Sequence, residues 1–194
     1  MSITVINPAQ WQTQRWQNGG GITHQLCRQD NEAGLLWRVS IAEVASDGPF
    51  SRFEQLDRVI LLLSGAGFCL HGVGDNPQQL LQPLQPFSFA GEAEVFCTLN
   101  QGAVRDFNLM TRRNALQAEL KVLHVQSEFQ AFSLSSITLC YVASGQVQIC
   151  VNTQVFKLAA EQTLQLQDEN GTIEITSDDM AQVIFIRLMA SISQ

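Results

Sequence analysis

The residues of this 194-residue chain best suited to chemistry are a few polar groups set in apolar surroundings. Arg38 and Ser40 stand two apart, as do Asp106 and Asn108. Side chains two apart on a strand point the same way, so each pair turns both of its polar groups to one face. Arg58 heads the apolar run of residues 59–63, and a charge placed there needs a partner. Lining one mouth, these residues offer guanidinium forks, a hydroxyl and an amide, a set that holds a small carboxylate bidentately. Asp106 then either fixes an arginine in place or accepts from a ligand amine. The opposing expectation makes Arg38 and Asp106 an ion pair on an outer sheet face, worth about 0–1 kcal/mol. Arg112 and Arg113 read as a solvated pair at a strand end, with Arg112 within reach of the mouth.

The most distinctive string is Arg15-Trp16-Gln17-Asn18-Gly19-Gly20-Gly21-Ile22-Thr23. Three glycines in a row let backbone N–H groups converge or a ligand approach closely. A plain turn between an aromatic anchor and a strand is the other reading. No Lys-Ser or Lys-Thr follows and no strand-to-helix context surrounds it, so it is neither a P-loop nor a dinucleotide fingerprint. His24, His71 and His124 fall in three separate segments and do not make the facial cluster that Fe, Mn or Zn demands. The cysteines at 27, 69, 97, 140 and 150 are odd in number, widely spaced and without a CxxC pair, and read as buried, reduced core thiols. No metal and no other cofactor is expected.

Strands must position these groups. Residues 35–44 alternate Trp37, Val39 and Ile41 against Arg38, Ser40 and Ala42, which predicts a half-buried strand. Residues 59–63 are apolar on both faces, and Gly65-Ala66-Gly67 supplies the positive φ of a hairpin turn. Further short runs at 87–89, 94–99, 104–110, 119–125, 137–142, 147–151, 163–166, 172–175 and 182–188 complete an all-β pattern of sandwich or barrel type. Only Asn7-Pro8 offers a helical start, and Gly72–Pro77 marks a surface loop. Ile60-Leu61-Leu62-Leu63-Ser64-Gly65 lies on Cys140-Tyr141-Val142-Ala143-Ser144-Gly145 as a weak internal repeat. Two similar β units follow, 1–114 and 115–194, packed as one structural unit.

Composition excludes several classes. Apolar residues at 45% and charged residues at 15% make a globular chain, and the net charge of −7 comes with no basic stripe for nucleic acid. The longest apolar run is far short of the ~20 residues of a membrane helix, and no signal pattern opens the chain. A cytoplasmic protein with no membrane partner is expected.

Strand, glycine turn, strand and then a Pro-x-Phe-x-Phe segment is similar to the layout of a cupin barrel. Metal-binding cupins place a Glu with six residues between it and the turn glycine, where this chain has Arg58, a group that cannot ligate a cation. Five strings resemble the HutD/Ves family: Trp16 to Thr23, Trp37-Arg38-Val39-Ser40-Ile41-Ala42, Gly48-Pro49-Phe50-Ser51-Arg52-Phe53, Asp57-Arg58, and Asp106 to Arg112. The resemblance implies two tandem cupin-type, jelly-roll-like barrels (a bicupin), no bound metal, and a regulatory or accessory role linked to histidine utilisation or stress. It also implies a formylglutamate-like ligand. His24 departs from the family's more usual Arg. The expected ligand-binding residues are Trp16, Asn18, Gly20, Thr23, Arg38, Ser40, Phe53, Arg58, Asp106 and Asn108, the expected partner is a small anionic metabolite, and edge strands suggest a homodimer. Two other readings stand beside this one: a metal-independent isomerase or lyase using His24 or Asp106 as general base, and a protein-interaction scaffold, which an exposed apolar patch would mark.

Overall fold

The computed structural model describes residues 2–191 and is all-β. In chain order the strands begin with β1 (Ser2–Ile6), β2 (Gln12–Arg15), β3 (Gly21–Asn31), β4 (Gly34–Val44), β5 (Gly48–Pro49) and β6 (Leu56–Ser64). Next come β7 (Phe68–His71), β8 (Gln78–Leu80), β9 (Phe87–Ala90), β10 (Phe96–Leu99) and β11 (Val104–Arg112). The remainder are β12 (Leu116–Val125), β13 (Gln130–Ser133), β14 (Ile137–Ser144), β15 (Gln146–Val151), β16 (Gln154–Ala159), β17 (Thr163–Gln167), β18 (Thr172–Thr176) and β19 (Ala181–Ala190). The helical start at Asn7-Pro8 gives one 3-10 turn, Pro8–Gln10. No helix among the described residues is long and apolar enough to cross a membrane.

The chain forms two compact units. Residues 11–115 make the first, in which a six-stranded sheet (β2-β3-β4-β11-β6-β9) is paired with a four-stranded one (β5-β10-β7-β8). Its apolar core takes Ala42, Ile60, Leu62 and Val104 from the larger sheet and Phe68, Leu70, Leu80 and Cys97 from the smaller. The second unit combines a five-stranded sheet (β1-β17-β14-β19-β12) with a four-stranded one (β13-β18-β15-β16). Its core joins Leu123, Cys140, Val142, Val183 and Phe185 to Ile149, Leu158, Ile173 and Ile175.

The first ten residues depart from the expected division at 114. β1 pairs antiparallel with β17, from Ser2 opposite Gln167 to Ile6 opposite Thr163, and Ile3 and Val5 pack against the second core. The pairing partner lies some 160 residues downstream, so no local pattern announces it. Residue 1 and residues 192–194, also part of the expected units, lie outside the described residues.

The internal repeat is visible in the register. Along β6·β11, Leu62 faces Asp106 and Ser64 faces Arg105, so Leu63 is skipped. Along β14·β19, Val142 faces Val183 and Ser144 faces Gln182, so Ala143 is skipped. One bulge at the same place in both units bends each strand into its glycine.

β4 is not half-buried as its alternation suggests. Trp37, Val39 and Ile41 are fully buried, but Ser40 and Ala42 on the opposite face are buried too. The polar face of β4 looks into the molecule because it walls a cleft. Of the five cysteines, all unpaired, Cys97 and Cys140 are buried and the other three are partly so.

Candidate functional site: a buried arginine cleft

Three strands of the first unit set the site's rows. Pairing through β4, β11 and β6 aligns Arg38, Met110 and Arg58 in one row, and Ser40, Asn108 and Ile60 in the next. The third row is Ala42, Asp106 and Leu62, with Thr23 of β3 opposite Ala42. Residues two apart share a face, so the polar members of these rows all turn the same way. They form one wall of a cleft of about 600 Å³. Trp16, Phe50 and Phe53, from the segments that precede β3 and β6, wall the other side.

Of the ten residues expected to bind ligand, nine line this cleft: Trp16, Asn18, Thr23, Arg38, Ser40, Phe53, Arg58, Asp106 and Asn108. Gly20 does not. Its N–H donates to Asn18 Oδ1 (3.0 Å) and its carbonyl accepts from Ala45 N (2.9 Å), while Gly19 N–H donates to the Trp16 carbonyl (3.1 Å). The glycine string is therefore a tight turn in which the Gly19 and Gly20 amides are already used. Gly21 is required there by space, because a Cβ would sit 2.6 Å from the Glu43 carbonyl oxygen. The turn delivers Trp16, whose indole N–H donates to Thr23 Oγ1 (2.8 Å) and whose ring meets Phe50 edge-on.

The electrostatics centre on Arg58, which is 5% exposed. Its guanidinium carbon lies 4.8 Å from the Phe89 ring centre, 5.5 Å from Phe50 and 5.6 Å from Phe53, an aromatic box of cation–π type. Its Nη2 donates to Asn108 Oδ1 at 2.7 Å, and the Asn108 amide nitrogen in turn donates to Asp106 Oδ1. The Arg38 guanidinium carbon lies 5.3 Å from the Phe53 ring centre, and its Nη2 donates to Met110 Sδ (3.4 Å). Three buried polar atoms of this cluster have no hydrogen-bond partner: Arg38 Nε, Arg58 Nε and Asp106 Oδ2.

Burial dominates the titration of these groups. It lowers the Arg58 pKa to about 10, an effect that Asp106 opposes and Arg38 reinforces. Arg38 is lowered as well, by burial first and then by Arg28. Asp106 is pushed up to about 7 by burial, against the pull of Arg58 and the hydrogen bond from Asn108. Two guanidiniums thus face a cleft whose one buried carboxyl is only partly ionised near neutrality.

The ion pair on an outer face is not what forms. Asp106 is 1% exposed, looks into the cleft and reaches Arg58 through Asn108, while Arg38 bonds Met110. Arg112 does not reach the mouth either, since its Nε donates to the Leu35 carbonyl (2.8 Å). Arg113 is held by Asp57 and Glu92. His24 points away from the cleft because its neighbour Thr23 points in, and its ring nitrogens meet Thr13 Oγ1 (2.9 Å) and Glu43 Oε1 (3.3 Å). Met110 and Phe50 were missed by sequence reasoning. Extending the Asp106, Asn108 alternation by two finds Met110, and Phe50 sits inside a string already singled out.

Among the described residues no group of three His, Cys, Asp or Glu side chains is placed to hold a metal ion. Arginine offers no lone pair to a cation, so the cleft's donor set suits an acid.

The fold, an all-β chain of paired antiparallel sheets, is of the cupin-like class. YhhW from Escherichia coli shares the fold, with a TM-score of 0.71 over 100% of both chains at 12% identity. Within that class the chain belongs to the HutD family, whose model matches residues 8–185. HutD from Pseudomonas fluorescens superposes with a TM-score of 0.86 at 31% identity, covering 97% of this chain and 99% of that one. Protein Ves of Cronobacter sakazakii is 35% identical over 173 residues, 88% of this chain and 90% of the relative. A Pseudomonas putida relative, described as an uncharacterized 21.2 kDa protein in the hutC 3′ region, is 36% identical over 155 residues, 78% of this chain and 80% of its own.

Proposed function

We propose that this protein binds a small carboxylate in the cleft of its first unit, without a metal, and acts as a regulatory or accessory protein rather than as an enzyme. The observation that carries the reading is the pair of half-buried Arg38 and buried Arg58 in the lining of a cleft of about 600 Å³, each with a buried Nε that has no partner in the protein. A carboxylate offers two oxygens in the plane that a guanidinium fork fits. The aromatic box fixes the Arg58 fork in advance, so little side-chain freedom is lost on binding. We read each sheet pair as one cupin-type barrel. The hutC-region description of the Pseudomonas putida relative supports histidine utilisation as the setting, and a formylglutamate-like metabolite is our candidate. Catalysis with His24 as base is not carried forward, since His24 is not among the cleft-lining residues.

Thermal denaturation with formate, glutarate, urocanate and N-formyl-L-glutamate tests this. A carboxylate at 100 times its Kd adds about 2.7 kcal/mol, which moves the Tm of a chain this size by several degrees. The Arg58→Met variant, assayed at its own Tm, is expected to lose that shift. A wild-type Tm that none of the four acids raises at millimolar concentration overturns the proposal.

A further inference from the structure

The relay Arg58 → Asn108 → Asp106 has a direction, and the direction places a proton. Asn108 Oδ1 accepts from Arg58, so its amide nitrogen is the end that meets Asp106. Asp106 Oδ1 is thereby fixed as an acceptor. Any proton on this carboxyl must sit on the other oxygen, Oδ2, which is buried and has no partner in the protein. A charged carboxylate with one oxygen neither solvated nor bonded is costly, and a proton on that oxygen removes the charge.

We infer that the cleft takes up its acid together with one proton, held on Asp106 Oδ2. The inference rests on the carboxylate reading above and deepens it. It makes the site rich in donors: the guanidinium groups of Arg38 and Arg58, the Ser40 hydroxyl and the Thr23 hydroxyl already accepting from Trp16, beside a neutral Asp106. Such a surface selects a ligand rich in acceptors and turns away an ammonium group, which would need the ionised form of Asp106. A bound anion next to Asp106 disfavours a second negative charge, so binding and protonation reinforce one another.

The groups facing Asp106 leave the proton to it alone between pH 6 and pH 8.5. Arg58 on β6 and Arg38 on β4 keep their charges there. Cys97 on β10 is neutral, its thiol pushed up to about 12 by burial and by Asp106 itself. Small carboxylic acids are fully ionised over this range.

Isothermal titration of N-formyl-L-glutamate and of glutarate into the full chain, in buffers of different ionisation enthalpy, reads the proton directly. Uptake approaching one proton per site is expected at pH 8, with affinity falling up to tenfold per pH unit from about pH 7 to pH 8.5. In Asp106→Asn, whose amide keeps a donor at the Oδ2 position, the uptake and the pH slope should vanish, and binding at pH 8.5 should be tighter than in the wild type. Infrared difference spectra of the wild-type complex should show a protonated-carboxyl C=O band absent from that variant, a readout the wild type supplies alone if the variant does not fold. Binding with no proton uptake and a flat pH profile overturns this inference and leaves the carboxylate reading standing. No heat and no stabilisation from either acid overturns both.

Discussion

The two units carry the same rows of residues and use them in opposite ways. Laying the bulge at Leu63 on the bulge at Ala143 equates Leu62 with Val142 and, through the sheet register, Asp106 with Val183 and Asn108 with Phe185. The outermost row, Arg38, Met110 and Arg58, becomes Glu119, Arg187 and Thr138. In the second unit Val183 and Phe185 fill the interior, and Phe185 stacks on Phe132 at 4.5 Å. Arg187 there bonds Glu119 through Nε (2.9 Å), and Lys121 meets the same carboxylate at 2.8 Å. In the first unit the same places hold two polar side chains and a pair of arginines with no carboxylate in their row. One sheet scaffold accepts either filling: polar groups lining a cleft in the first unit, apolar side chains in the core of the second. Such a departure from core rules is what singles out these residues as the candidate site, because a fold under no other demand fills its interior with apolar groups.

The largest way to break this comparison is to give the second unit the first unit's residue. Phe185→Asn removes a fully buried ring and leaves an amide without partners, for a loss on the order of 3–5 kcal/mol in urea denaturation. A loss below about 1 kcal/mol would mean that the second interior tolerates polarity as the first does, and the contrast would fall.

Next in size is Asp106→Asn. The folded pKa of Asp106 lies near 7, above the unfolded value near 4, so the folded state binds the extra proton between them. Stability from this group is complete below about pH 4 and is lost as pH rises to about 7. The asparagine variant escapes the loss, and its advantage over the wild type should grow across that window to something on the order of 2–4 kcal/mol at pH 8. Denaturation series at pH 5 and pH 8 measure the gap; a gap of the same size at both would refute the burial of an ionising carboxyl.

Much of this was legible beforehand, for reasons that residues make plain. The alternation of Arg38 with Ser40 and of Asp106 with Asn108 put the cleft's groups on common faces, since a strand's period of two is a local property. The apolar run behind Arg58 flagged a charge in want of a partner. Long-range facts were not legible: β1 joins a strand some 160 residues away, and β8 and β16 have too few residues or too little contrast to stand out. The burial of both faces of β4 depends on what covers them, which alternation does not encode. Gly20 misled because three glycines read equally as an anion nest or a close turn, and only the hydrogen bonds to Asn18 and Ala45 separate the two.

The smallest effect tests the equivalence on which the comparison stands. Gly65 and Gly145 both sit just past the bulge, with φ of 104° and 78°. A Cβ on Gly65 would lie 2.8 Å from the Ala103 carbonyl oxygen, and one on Gly145 2.8 Å from that of Met180, each carbonyl belonging to the segment just before the partner strand. Left-handed backbone and a backbone clash together cost alanine about 1–3 kcal/mol at either position. If the units are one design used twice, Gly65→Ala and Gly145→Ala should destabilise by amounts matching within about 0.5 kcal/mol, although one turn borders the cleft unit and the other the filled one. A cost confined to Gly65 would show that its geometry serves the cleft, and would remove the structural ground for reading the second interior as the first one closed.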